Sequence, residues 1–493
     1  MKTKIFAKKW MITLVLALAF AILLTFLIVA GCPSRGDGEE KQNHYEIEAI
    51  YDGNKTLTGK MTLNFVNDSE AKIDKMYFHL YPQAYREGAR FPAVNHAETT
   101  SAYPSGINYG GVEIGSVVAG KESKYEIEGQ DEDILRVDFL DGIDLGESVS
   151  VSVEFTVTIP EVRHRLGKSG DTVNLGGWYP VLCAYDEYGW ETSPYYNSGD
   201  PFVSEVASYD VTLTIPKGYD AVVSGSKEVS AVEGGLVVKS KIENARDFAV
   251  VIGKFRSVRA NIDGIEVSYY GDEGDDLNAW LKVATDSLRT FNATFGKYPY
   301  PQYSVVKTAF LHGGMEYPAL SMVSDALNKD MFTEAIIHET AHQWWYAVVG
   351  SDQINHAWQD EGLTEYSTTL FYEKNPTYGV TRGARLADAA SAYLTYMESA
   401  LPSDYRMDKR LTEFNGQIDY TFLTYVKGEL MFDSVRSCMG DEKFFTALKN
   451  YYQNNRFKIA SPAHLICEME KAGLAQAEQY IGVWLSGKDI VCR

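Results

Sequence analysis

The hydrophobic residues of this 493-residue chain change their spacing once, near Ser257, and that change governs what the chain can fold into. From about Tyr45 to Phe255 the period is two. Met61, Leu63 and Phe65 alternate with polar neighbours, as do Val149, Val151, Val153, Phe155 and Val157, and again Tyr209, Val211, Leu213 and Ile215. Turn clusters at Asp52-Gly53-Asn54 and Glu233-Gly234-Gly235 separate such runs, and Pro160 and Pro216 end two of them. A period of two puts alternate side chains on one face of a pleated strand, so this part reads as a large antiparallel β domain. After one more strand-like stretch, Ile265 to Tyr270, the period becomes helical. Between Asp276 and Phe295, the residues Leu277, Trp280, Leu281, Ala284, Leu288 and Phe291 share a face. Most of the remaining chain reads as helices joined by short loops. A chain of this length exceeds one ordinary core, so a multi-domain arrangement is expected: a β-rich domain over 44–256 and an α-rich domain with an edge of sheet over 257–493.

The first residues read as an address. Lys2, Lys4, Lys8 and Lys9 form a basic head before an apolar run from Trp10 to Gly31. The run ends in Val29-Ala30-Gly31-Cys32, which resembles the bacterial lipobox, in which the cysteine is lipidated and becomes the mature N-terminus. This predicts a lipoprotein signal peptide over 1–32, lipidation at Cys32, a polar tether over 33–43, and a location on the outer face of the bacterial cell membrane. The alternative is an uncleaved signal anchor, because the run is long enough to span a bilayer. Either way Asn43 onward lies outside the cytoplasm. The formal net charge of −21 argues against nucleic acid and against electrostatic docking on anionic lipid. The other cysteines, Cys183, Cys438, Cys467 and Cys492, contain no Cys-x-x-Cys pair, so a thiolate metal site is not expected. A bridge among Cys438, Cys467 and Cys492 stays open, as does the oligomeric state.

The chemistry concentrates at His338-Glu339-Thr340-Ala341-His342, in a helical pattern where Ile337, Ala341, Trp344 and Val348 share a face and Gly350 offers a stop. Two histidines four apart lie on one side of a helix and can converge on one tetrahedral ion. Glu339, beside the first, can reach a water on that ion as general base. A catalytic zinc takes three protein groups, and the third candidate is Glu361 in Trp358-Gln359-Asp360-Glu361-Gly362. Two imidazoles and a carboxylate suit one Zn2+ per chain. Glu365, one turn beyond Glu361, is either a solvent-facing carboxylate or the acceptor for a ligand histidine's other nitrogen.

Histidine-glutamate-x-x-histidine, eighteen residues and a glutamate in Trp-x-x-Glu-Gly resemble the aminopeptidase N type of zinc metallopeptidase, a gluzincin. Gly313-Gly314-Met315-Glu316-Tyr317-Pro318 resembles that family's Gly-x-Met-Glu-Asn motif, and Tyr425-Val426-Lys427-Gly428 its Tyr-x-Lys-Gly block; Trp178-Tyr179-Pro180 is similar to part of its N-terminal domain. The resemblance implies an antiparallel β-rich saddle domain followed by a thermolysin-like α+β catalytic domain. It implies zinc on His338, His342 and Glu361, with Glu339 as general base and Tyr425 as oxyanion donor. Glu316 would bind the α-ammonium of peptides with a free N-terminus, beside Gly313, Gly314 and Met315 on the substrate side. The implied activity is release of N-terminal amino acids. An endopeptidase or other hydrolase using the same zinc, or a surface binding protein with a dormant site, are the alternatives. Tyr317 stands where the family has asparagine. The family's amine contact from the β domain has no clean counterpart, with Asp171 and Asn174 the nearest guesses. Larger relatives continue into a helical domain, so a more open cleft is expected in a chain ending at Arg493.

Overall fold

The alternating runs become strands because each has a face to bury. In Thr56–Val66 the side chains of Leu57, Met61, Leu63 and Phe65 are buried between more exposed neighbours, and Ser148–Thr158 and Ala207–Pro216 repeat the pattern. The computed structural model describes residues 42–400, 402 and 404–488. Seven strands form its largest sheet, in the order Ser226–Val232, Gly235–Ala245, Ala207–Pro216, Asn43–Tyr51, Thr56–Val66, Ser148–Thr158 and Gly111–Ala119. All neighbours are antiparallel except Asn43–Tyr51 and Ala207–Pro216, which run parallel with His44 opposite Ser208. Two four-stranded sheets and a short hairpin complete the β-rich part.

Beyond it lies a five-stranded sheet, ordered Arg256–Ile262, Ile265–Gly271, Gln302–Thr308, Leu320–Ser324 and Gly314–Met315. Its three central strands are parallel. The first two of these are joined by helix α1 (Leu277–Thr294), because parallel neighbours need a crossover. Gly314–Met315 runs antiparallel at the edge. Then come α2 (Lys329–Ala341), α3 (Ala357–Lys374), α4 (Arg382–Ala400), α5 (Gly416–Thr421) and α6 (Lys427–Met439), with three further helices up to Leu485. One hydrophobic cluster runs through both parts, from Tyr45 to Ile481.

The helix carrying the histidines is shorter than its apolar face suggests. α2 ends at Ala341, and residues 342–350 are turns and isolated bridges. The cause is Arg246, buried, whose guanidinium donates to the carbonyls of Tyr346 (2.8 Å), Val348 (3.3 Å), Ser204 (3.0 Å) and Lys458 (2.6 Å). Carbonyls that a longer helix would turn on its own N–H groups are taken by an arginine from the β-rich part. Gly350 serves the same contact rather than stopping a helix. A β-carbon there would sit 2.2 Å from the Arg246 Cζ.

Met1–Lys41, with Cys32 and most of the tether, lie outside the described residues, as does Cys492. Among the described residues no helix is long and apolar enough to cross a membrane. Cys183 and Cys438 are free thiols, and Cys467 is disulfide-bonded, so Cys438 takes no part in a bridge.

Replacing Arg246 with leucine removes a donor from four carbonyls; Val348 and Lys458 each keep a backbone N–H, while those of Tyr346 and Ser204 lose the guanidinium. The Arg246→Leu variant is expected to lose about 3–5 kcal/mol of unfolding free energy, read from urea titration against the parent chain.

Candidate metal centre and substrate cleft

Asn328 starts α2 by accepting the N–H groups of Asp330 and Met331 at 3.1 and 3.0 Å, with Asp330 in the first turn where the helix dipole favours it. His338 stands in the last turn and His342 at the C-cap, on the same side. α3 brings Glu361 against them. The two Nε2 atoms are 3.1 Å apart, and Glu361 Oε2 lies 3.4 Å from that of His338 and 3.3 Å from that of His342.

Both Nδ1 atoms are committed elsewhere. His338 donates to Glu365 at 3.0 Å and His342 to Asp360 at 2.9 Å. Each Nε2 therefore turns a lone pair to the centre, towards a carboxylate oxygen that has no hydrogen-bond donor of its own. Such a trio repels itself unless a cation joins it. Three ligands roughly 2.0–2.1 Å from a tetrahedral ion stand about 3.3 Å apart, which is the spacing found. The electrostatics agree. Burial disfavours charge on His338, yet the facing carboxylates of Glu361 and Glu365 outweigh it and push the imidazole's pKa up to about 10. Burial likewise opposes charge on Glu361, but both imidazoles hold its carboxyl well below the usual range. The cluster demands positive charge, and the donor set fits zinc.

A second ring of groups holds these ligands. Arg385, from α4, donates to Glu365 at 2.6 Å, to Glu334 at 2.7 Å and to Thr369 at 2.8 Å. Asp360 accepts the side-chain amide of Gln353 at 2.5 Å. Glu365 is thus the histidine's partner and not a solvent-facing carboxylate. Tyr425 lies in a π-helical turn, Phe422–Val426, between α5 and α6; such widened turns recur at functional sites. Its ring stacks on His338, with centroids 5.7 Å apart and planes 15° apart, and its hydroxyl donates to Glu361 Oε1. The close approach rests on two glycines. A β-carbon on Gly428 would lie 2.5 Å from the Gly362 Cα, so α6 meets α3 backbone to backbone just past Glu361 and Tyr425.

The cleft in front of this centre has a volume of about 390 Å³. Gly313, Gly314, Glu316, His338, Glu339, His342, Glu361, Glu365 and Tyr425 all line it, so the predicted residues converge with one exception. Met315 is fully buried and points away from the cleft, its sulfur accepting from Arg165 Nε at 3.1 Å, because alternate residues of a strand face opposite ways. Gly314 faces the cleft, and a β-carbon there would lie 2.4 Å from Glu339 Oε1, so that position is bare to seat the Glu339 carboxylate. Burial pushes the Glu339 carboxyl up to about 7 and that of Glu316 well above its usual range. One oxygen of each is buried without a hydrogen-bond partner.

Of the two β-domain guesses neither reaches the cleft. Asp171 pairs with Lys254 on the surface at 2.9 Å, and Asn174 is buried against the carbonyls of His164 and Ala309. The carboxylate that does arrive from the β-rich part is Asp200, buried and held by Arg165, which also lines the cleft. Sequence patterns did not point to Asp360, Gln353, Arg385 or Asp200. Only Asp360 left a signal, as an acid adjacent to a ligand on one helix; the others arrive from distant segments.

Removing the outer carboxylate or its arginine frees the His338 ring. Glu365→Gln and Arg385→Met are each expected to weaken zinc binding about 10- to 100-fold, measured by competition with a chelating dye.

Comparisons with known proteins agree with this geometry. Residues 280–484 match the peptidase family M1 domain. Aminopeptidase M1 of Arabidopsis thaliana is 24% identical over 305 residues, covering 57% of this chain and 34% of that protein. The chain thus spans about a third of the length of the curated relatives it matches. An M1 zinc metallopeptidase from Deinococcus radiodurans superposes with a TM-score of 0.64 at 17% identity, over 92% of this chain and 96% of that one. The same metallopeptidase in a mutant bound to a Tyr-Ser-Ala substrate gives 0.65 at 16% identity, over 91% and 95%. The fold is shared along nearly the whole of both chains, and the part of this chain similar to the peptidase family M1 domain, residues 280–484, is the part that carries the histidines and Glu361.

Proposed function

We propose that the protein is a zinc aminopeptidase that releases N-terminal residues from peptides. The observation that carries this reading is Glu316: a buried carboxylate with an unpartnered oxygen, in the same cleft as the two histidines and Glu361, and within 4.8 Å of a His342 ring nitrogen. A fixed carboxylate beside the reacting bond pairs with a free ammonium and leaves a blocked N-terminus unpaired. Asp200 lines the same cleft as an ion pair with Arg165.

Held by His338, His342 and Glu361, zinc supplies a Lewis acid that polarises the scissile carbonyl and lowers the pKa of a water. The chain's own residues do the rest. Glu339 takes the proton of the attacking water, and a carboxyl near neutrality can hand that proton to the departing amine. Tyr425 gives up Glu361 as acceptor and donates to the developing oxyanion. Glu316 holds the ammonium, so one residue leaves per turnover. The relative crystallised with Tyr-Ser-Ala supports a peptide as the occupant of such a cleft.

Short peptides with free and acetylated N-termini, followed by mass spectrometry, test the reading. Stepwise loss is expected from the free peptides only, and Glu339→Gln should remove it while zinc remains bound. Internal cleavage of acetylated peptides would replace the exopeptidase with an endopeptidase.

The basic head, apolar run and Cys32 support an anchored enzyme outside the cytoplasm. In a bacterial host fed labelled palmitate, the chain is expected to take up label and the Cys32→Ser variant to take up none.

A further inference from the structure

The loop that carries Glu316 is gripped from two sides. On one side is Gln343, the residue after His342. Its side-chain oxygen accepts the Ala319 N–H at 2.8 Å, and its amide donates to the carbonyls of Glu316 and Tyr317 at 3.3 and 3.2 Å. On the other side is Tyr317, which is 1% exposed and takes no part in lining the cleft. Its ring enters a slot in the β-rich part whose floor is Gly176. A β-carbon at Gly176 would lie 1.7 Å from the tyrosine hydroxyl oxygen and 2.5 Å from Cζ, so the slot exists because residue 176 has none. The Gly176 N–H is bonded to the carbonyl of Arg165 at 2.9 Å, and the Arg165 side chain backs Met315. The residues on either side of Glu316 are thus both seated on one small piece of the β-rich part.

Hydrogen bonding does not explain Tyr317, because its hydroxyl is buried without a partner. A buried unpaired hydroxyl is unfavourable, so the position is held by shape. We infer that Tyr317 is a positioning residue: its ring in the Gly176 slot, opposed by the Gln343 clamp, sets where the Glu316 carboxylate stands in the cleft. The β-rich part thereby takes part in holding the substrate's ammonium by fixing the loop that binds it. This inference rests on the proposed role of Glu316. It also accounts for tyrosine at a position where the resembled family has asparagine, since a short amide would not fill the slot.

The test combines steady-state kinetics on a free tripeptide with amide hydrogen exchange over residues 313–320, in the full chain with zinc. Gly176→Ala fills the slot and Tyr317→Ala empties it. Each is expected to raise KM about ten- to hundredfold while kcat stays within about twofold, with faster exchange confined to the loop. Tyr317→Phe keeps the ring and should keep the parent KM. The pair Gly176→Ala with Tyr317→Leu restores room for the β-carbon and should recover most of the loss of Gly176→Ala. A fall in kcat at unchanged KM would mean loss of folded enzyme and would overturn the inference. So would Tyr317→Phe behaving like Tyr317→Ala, which would put the hydroxyl to work. If the parent chain cleaves no free peptide, the proposed function fails and exchange alone decides. Acceleration confined to the loop in Gly176→Ala then supports the slot, and unchanged exchange overturns it.

Discussion

Two imidazole lone pairs and a carboxylate oxygen face one another here at 3.1–3.4 Å, an arrangement that is unfavourable until a cation joins it. Most of the surrounding structure can be read as what holds that arrangement in place. Asp360 and Glu365 fix the ring tautomers by accepting from Nδ1, and Gln353 and Arg385 fix those carboxylates in turn. Arg385 also balances Glu365 against two more acids, Glu334 and Glu429, where burial above all pushes Glu429 up to about 7. Without that arginine three carboxylates would crowd one small volume next to the first histidine.

Close backbone approach is the second device. Glycine at 362 and 428 lets α3 and α6 touch, which places the Tyr425 ring on His338 and its hydroxyl on Glu361. Glycine at 314 seats the Glu339 carboxylate, glycine at 350 admits Arg246, and glycine at 176 admits Tyr317. None of these five is required by a left-handed backbone; each is bare because another group occupies the space where a β-carbon would go.

The β-rich part is bound into the helical part at several of these points. Arg246 ends the histidine helix from outside by capturing carbonyls at residues 346 and 348, and Arg165 and Asp200 close one wall of the cleft. A single hydrophobic cluster spans both parts, so the β-rich part is more than a platform beside the site.

By itself the sequence determined the elements and the inner shell. Alternation along Val149–Val157 and helical spacing along Leu277–Phe291 report a buried face directly, and the His338, His342 and Glu361 spacing is a local consequence of helix geometry with one turn back. The family blocks carried Glu316, Glu339 and Tyr425 to the same cleft. Tertiary structure alone decided the rest. Pairing of Asn43–Tyr51 with Ala207–Pro216 joins strands far apart in the chain, and no local pattern encodes a partner. The early end of α2 depends on an arginine about a hundred residues upstream, so apolar periodicity overran it. Met315 faces away because the strand's register, not its membership of a motif, sets which side chains reach the cleft. Asp200, Arg385 and the Gly176 slot are contacts between distant segments, and charge or bareness at one position says nothing of what will arrive to meet it.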